Sequence, residues 1–345
     1  MKITALDAFP LREPQSRRAY TLLKISTDTR GATGWGETHS ISPASLARAR
    51  SLLIGQEPSR YDVLTRHFAG DPLSAALNMA LLDLAGQEAK APVFQLLGGP
   101  TRFKVRALTA LSSPNQRDAL LAQGHRAFLI PIALPTAITS RPNIVSSIAT
   151  QFANLRRSSG DNVDFVPDGQ ALLPSAEASD LAVALEPFHP LWFDRPTRDP
   201  NTEVLARITS ESTCPLGLGH DFSTIAPVQN LLREGVVDIL RLSLNTHGIT
   251  PLRRAAAIAE TYYTAIAPHH TGGPVATAAA LHLAASLPNF FIQEIPATPD
   301  PEDRRLRDSL VGGPLENPTD GYLKLSTQPG LGITIDESTL RRLAA

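Results

Sequence analysis

From about residue 103 onward, short β-rich runs alternate with helical stretches, and no other feature limits the fold of this chain so strongly. The β-rich runs are 104–111, 127–132, 163–167, 191–193, 215–218, 237–242, 264–267 and 290–293. Helical patterns fill most of the gaps, over 143–157, 176–185, 200–209, 225–234, 251–262 and 275–286. Strands separated by helices must run parallel, and eight such units close most economically into a (β/α) barrel. A dinucleotide-binding fold would need a glycine-rich turn after the first strand, and none is present. The 29 prolines suit a fold with many short connections.

The residues before the barrel read differently. Weak alternation over 1–10, a β-rich run at 20–26, the turn Asp28-Thr29-Arg30-Gly31 and the run ending Gly34-Trp35-Gly36-Glu37 predict a small antiparallel sheet. Helices follow at 43–54, 61–68 and 93–97. The strongest spans 71–90, where Asp71 can cap, Pro72 fits the first turn, and Leu73, Ala76, Leu77, Ala80, Leu81 and Leu84 predict one buried face. The tail from 310 holds strand-like pieces at 322–326 and 332–335 that are expected to pack back on the first unit. The expected fold is therefore α/β, a TIM-type barrel with an N-terminal α+β capping domain. Its divisions are 1–102 for the cap, 103–309 for the barrel and 310–345 for the returning segment.

Composition narrows the function classes. With 32 basic and 33 acidic residues the net charge is −1, which gives no basic stripe for nucleic acid. One cysteine, Cys214, excludes an intrachain disulfide and cysteine-rich zinc modules. No apolar run reaches the roughly 18 residues of a membrane helix, and the first residues do not form a signal peptide. A cytoplasmic protein without membrane or nucleic-acid partners is the expectation.

Working groups in such barrels sit at the C-terminal ends of the strands. Asp168, Asp194, His220, Ser243, the pair His269-His270 and Glu294 follow six consecutive strands in turn. Glu294 could instead be a buried acid paired with Arg241, whose strand parity also points inward. Trp35 and Glu37 are expected to close the cap, and His247 and His282 to be a loop and a helix-surface histidine.

Several segments together resemble the enolase superfamily, in its mandelate racemase/muconate lactonizing branch. They are GWGE at 34–37, the helix 73–89 leading to VFQLLGG at 93–99, the Asp168 strand end, LWFDRP at 191–196, PLGLGH at 215–220, APHH at 267–270 and NFFIQE at 289–294. The resemblance runs over nearly the whole chain. It implies a modified barrel under a capping domain, and removal of a proton α to a carboxylate, with a divalent metal stabilising the enediolate. The acid-sugar dehydratases, epimerases and racemases are the expected classes, acting on a small carboxylate.

By the same resemblance, Asp168, Asp194 and His220 stand at the metal positions, His269 at the base, and Glu294 at the acid that hydrogen-bonds the substrate carboxylate. Arg195, Ser243 and His270 are expected near substrate. The implied ion is Mg²⁺ or, because an imidazole stands among the ligands, a transition metal; no nucleotide or organic cofactor is implied. Homo-oligomers are common in that superfamily.

The departures matter as much. Three acids are the usual metal set, whereas here the second is the shorter Asp194 and the third is His220. The lysine motif of the second strand reads Leu129 and Pro131, and the aspartate that would orient His269 reads Ser243. Two readings of His220 follow: a metal ligand, or an imidazolium between Asp168 and Asp194 replacing the metal's charge. Two functional alternatives stay open as well. One is a relative that binds a small carboxylate without turnover; the other is a barrel hydrolase with zinc on His220, His269 and Asp168.

Overall fold

The computed structural model describes residues 1–134, 141–160 and 162–344. Strands β1 (Ile3–Arg12), β2 (Ala19–Thr27) and β3 (Thr33–Thr38) form an antiparallel sheet in that order. The helix Leu73–Ala89 lies against β3, and two glycines permit the approach. A Cβ at Gly34 would overlap the carbonyl oxygen of Ala80, and one at Gly36 that of Ala76.

This helix departs from the single buried face its spacing predicts: every residue from Leu73 to Gly86 is buried. It is enclosed by the cap sheet on one side and barrel helices on the other, so its polar residues need partners. Asn78 donates to the Thr250 hydroxyl at 2.8 Å and accepts from the Thr250 amide at 3.0 Å. Asp83 accepts from the amides of Trp35 (3.0 Å) and Leu331 (2.8 Å). Asp71 accepts from the Leu73 amide at 2.9 Å, the capping contact expected of it.

The barrel strands are β4 (Lys104–Ala110), β5 (Ala127–Pro131), β6 (Asp164–Asp168), β7 (Phe193–Asp194), β8 (Leu216–Leu218), β9 (Ile239–Leu240), β10 (Ala265–Ile266) and β11 (Gln293–Pro296). They pair in parallel in sequence order, β11 returns to β4, and a bridge between Ile266 and Phe290 closes the ring. All eight overlap the β-rich runs, although β7, β9 and β10 keep only two residues each and β11 begins at Gln293, the last residue of its run.

The returning segment serves both halves. Its strand β12 (Tyr322–Lys324) pairs antiparallel with β4 of the barrel rather than with the cap. The stretch 332–335 forms no strand, and the following helix Glu337–Leu343 packs on β1, with Glu337 held by Lys24 at 2.5 Å. No helix among the described residues is long and apolar enough to cross a membrane.

Cap and barrel are joined by buried charge. Arg307 binds Glu13 of the cap at 2.5 Å and Glu316 at 2.5 and 2.6 Å. Glu37, at the end of β3, accepts from the amides of Gly273 (2.5 Å) and Ala276 (3.2 Å), and so caps the helix Pro274–Ser286. That agrees with its expected role in closing the cap. Burial pushes the Glu37 carboxyl up to about 7, against the pull of the Gly273 amide. The folded state therefore holds a proton that the unfolded state releases near 4.5. Its contribution to stability is greatest at low pH and is lost as pH rises through about 7. Urea unfolding from pH 4.5 to 7 should show this loss, and Glu37→Gln should flatten it. An unchanged slope in the variant would assign the dependence to another group.

Candidate active site at the barrel mouth

Strand register brings the two aspartates together. Asp168 ends β6 and Asp194 ends β7, and their Cα atoms are direct partners in the sheet. His220 lies just beyond β8, and a backbone bridge sets Ser243 beside His269. Glu294 lies within β11. Asp168, Asp194, His269 and Glu294 are buried, while the His220 side chain keeps 17 % of its surface.

Two arginines organise these groups. Arg241 is fully buried; its Nε donates to Asp194 Oδ1 at 3.0 Å, its Nη2 to Asp194 Oδ2 at 3.4 Å, and the same Nη2 binds Glu294. Nη1 donates to the Ala267 carbonyl at 3.1 Å. Arg195 grips Asp168 through two nitrogens, with Nε at 3.0 Å from Oδ1 and Nη2 on Oδ2. Its Nε is also 3.9 Å from Asp194. Arg195 adopts left-handed backbone, φ 42°. Such a conformation costs a non-glycine residue about 1–3 kcal/mol and persists where surrounding contacts over-determine it. The bidentate grip on Asp168 is one such contact.

Burial opposes the charge of Arg241, and Asp194 and Glu294 more than offset it, raising its pKa. Burial pushes the Asp168 carboxyl up, Arg195 pulls it down, and the Asp194 charge opposes that pull. Trp192 Nε1 donates to Asp194 Oδ1 at 2.9 Å, and a Cβ at Gly217 would strike both Trp192 and that oxygen. Gly217 in the PLGLGH run is thus a space-maker for the Asp194 cluster.

The histidines form a second group. The rings of His220 and His269 stack at 3.8 Å between centroids and 7° between planes. His269 Nε2 lies 3.2 Å from the His220 carbonyl, to which it can only donate, so the lone pair falls on Nδ1. Nδ1 is buried without a partner, the Ser243 hydroxyl included. Burial, then the charges of His220 and Arg241, hold His269 well below the usual histidine range, so the ring is neutral at pH 7. His220 Nδ1 is 3.0 Å from Asp221 rather than between Asp168 and Asp194. The reading of His220 as the cation between the two aspartates gives way to Arg195 and Arg241.

A divalent ion does not fit the site as built. Both oxygens of Asp168 and both of Asp194 already accept N–H bonds, from Arg195 and the Gln170 amide and from Arg241 and Trp192. Oδ2 of each aspartate keeps one further lone pair, but an ion held there at about 2.0–2.1 Å would sit against two guanidinium cations. Among the described residues the metal-capable grouping is instead His220, His269 and Glu294, whose ligand atoms lie within 4.8 Å of one another. Neither the expected trio of Asp168, Asp194 and His220 nor the zinc set containing Asp168 is assembled. In the observed grouping the parallel rings keep their in-plane lone pairs from converging on one point, and Glu294 is bound by Arg241.

Other expected positions also move. His270 is fully buried, with Nε2 3.1 Å from Thr277 in the Arg307–Glu316 network. Extended backbone turns neighbouring side chains to opposite sides, which separates it from His269. His282 is not on a helix surface: it is 1 % exposed and stacks on Phe94. His247 ends a short helix and is buried, with Nε2 3.1 Å from the Phe222 carbonyl. Arg241 was visible in sequence only as a partner for Glu294, a pairing the structure contains. Its larger role at Asp194 follows from the register between β7 and β9, which sequence periodicity does not give.

A cavity of about 470 Å³ lies between the cap and the loops after β8 and β9. His39, Asp71, Ser223, Asn245 and His247 are among its walls. Neither Arg195 nor His269 lines it, so the charged cluster lies outside it.

A capped parallel barrel with ionisable groups at consecutive strand ends defines the enolase class of protein. Residues 12–98 match the mandelate racemase/muconate lactonizing enzyme N-terminal domain, and residues 115–339 match the enolase C-terminal domain-like family. A D-galactonate dehydratase of Ralstonia pickettii (strain 12J) is 31 % identical over 98 % of this chain and 93 % of its own length. A D-galactonate dehydratase family member of Streptomyces bingchenggensis (strain BCW-1) is 29 % identical over 94 % of this chain and 90 % of its own. Among solved structures, an Agrobacterium radiobacter enolase, named for galactarate dehydratase and holding sodium and L-malate, superposes with a TM-score of 0.87. It is 28 % identical and aligns over 100 % of this chain and 95 % of that one. The chain belongs to the mandelate racemase/muconate lactonizing enzyme family of the enolase superfamily.

Proposed function

We propose that this chain binds a small hydroxy-carboxylate of the acid-sugar class at its barrel mouth and acts on it as a dehydratase-type lyase, with His269 taking the proton α to the carboxylate. The observation that carries the reading is the state of His269: buried, neutral, and presenting an unpartnered Nδ1 lone pair. A base needs that lone pair free, and a buried polar atom without a partner costs stability, a cost that a catalytic role explains. The dehydratase names of the relatives and the L-malate in the similar structure support the substrate class.

Abstraction moves the α-proton to Nδ1 and leaves an electron pair delocalised onto the substrate carboxylate, which then demands positive charge nearby; that pair forms the Cα=Cβ bond as the β C–O bond breaks, and the hydroxyl leaves as water with the proton returned from Nδ1. Arg195, with 19 % of its side chain exposed, is the guanidinium assigned to that carboxylate. Ser243 stands beside the base as a further polar contact. Glu294 anchors Arg241 through Oε2.

A second reading rests on Arg241, whose contacts are all internal: a barrel that binds the carboxylate without turnover. One experiment decides between the two. The protein is incubated in D₂O with a panel of aldonic and aldaric acids, and the α-carbon proton is followed by NMR. Exchange with at least one acid is expected from a working His269. Saturable binding with no exchange across the panel would leave the binding reading alone.

A further inference from the structure

Across the barrel mouth the charges alternate in an unbroken row. Asp168 is held by Arg195, Arg195 lies 3.9 Å from Asp194, Asp194 is held by Arg241, and Arg241 binds Glu294. The row crosses from β6 to β7, β9 and β11, so four separate strands converge on it. We propose that this is a built, metal-independent site, in which the guanidinium groups of Arg195 and Arg241 neutralise Asp168 and Asp194 in place of a divalent ion.

Three observations carry it. Every oxygen of the two aspartates already accepts an N–H bond, and a cation on the lone pair left at either Oδ2 would lie against the guanidinium bound to that same oxygen. Arg241 has no surface through which to leave: it is fully buried, its Nη1 is tied to the Ala267 carbonyl, and its guanidinium lies 5.2 Å from the Trp192 ring centre. Arg195 takes a left-handed backbone (φ 42°) in the state that grips Asp168 with two nitrogens, a fork geometry that lysine could not reproduce. A guanidinium keeps its charge at every working pH, so the row needs no loaded cofactor. Divalent ions are thereby excluded from the two aspartates by the chain's own cations.

The inference goes beyond the function proposed above, and its test uses no organic ligand, so the two can fail separately. Metal content of protein purified without added metal or chelator is measured by mass spectrometry. The protein is then stripped with EDTA, dialysed, and titrated with MgCl₂, MnCl₂ and ZnCl₂ by calorimetry and thermal melting. The natural chain is expected to carry far less than one equivalent and to show neither heat nor a shift in Tm. Arg195→Gln, at the partly exposed rim, frees Asp168 and is expected to gain Mn²⁺-dependent heat and a higher Tm in Mn²⁺. Arg195→Lys keeps the charge and should stay indifferent. A stoichiometric ion in the natural chain, or a rise of its Tm in any of the three salts, would overturn the proposal whether or not the variants fold. So would a folded Arg195→Gln as indifferent as its parent.

Discussion

Replacing Arg241 by alanine should lower the unfolding free energy by about 3–5 kcal/mol, the range found when one member of a buried ion pair is removed. The size comes from what is left behind. Asp194 is fully buried and Glu294 is 2 % exposed, and without the guanidinium both carboxylates would stay inside the barrel with no cation between them. The penalty is that of orphaned charge rather than of a lost attraction. Arg241→Lys should recover only part of it, because one ammonium cannot span Asp194, Glu294 and the Ala267 carbonyl in the planar arrangement the guanidinium uses. The triple change Arg241→Met, Asp194→Asn, Glu294→Gln should recover more than Arg241→Lys, since no buried charge remains. Urea unfolding of the four proteins tests the argument. A loss under about 1 kcal/mol in Arg241→Ala would mean that water or a bound ion reaches the two acids.

The legibility of this architecture in the sequence was uneven, and the unevenness has physical causes. Parallel strands buried on both faces read as short apolar runs, so the eight barrel strands stand out, down to β7 with two paired residues. Helix periodicity was informative where one face meets solvent and misleading for Leu73–Ala89, which is enclosed on all sides. His282 was misplaced for the same reason, since the whole helix Pro274–Ser286 is buried. Strand ends revealed which residues converge, because the barrel forces them to: Asp168 and Asp194 are in register, and Ser243 bridges to His269. What they do with one another was not legible. Whether Asp168 faces an ion, an imidazolium or a guanidinium depends on side-chain reach and on the backbone of Arg195, whose positive φ leaves no trace in a one-dimensional pattern. Arg241 was more accessible to reasoning: inward parity on a barrel strand demanded an acidic partner, and Glu294 was named as one.

The same cluster sets the catalytic expectation. His269→Asn, which keeps a polar planar group at the position of Nδ1 and removes the basic nitrogen, should slow α-carbon exchange by about 10²–10⁴, the usual contribution of a positioned general base. Binding of the carboxylate should persist, because Arg195 is untouched. The pH dependence separates a base from a merely structural ring. Burial and the neighbouring charges of His220 and Arg241 hold His269 well below 6.5, so its neutral, competent form should persist below that pH. The acid limb of the exchange profile should therefore fall at lower pH than for an ordinary histidine, with no loss between pH 7 and 6.5. His220→Asn removes one of the charges that disfavour the imidazolium and should move that limb toward higher pH, while burial, the larger cause, keeps it below 6.5. Exchange in the natural chain that declined with an ordinary histidine midpoint, and survived His269→Asn, would place the base on the partly exposed His220 instead.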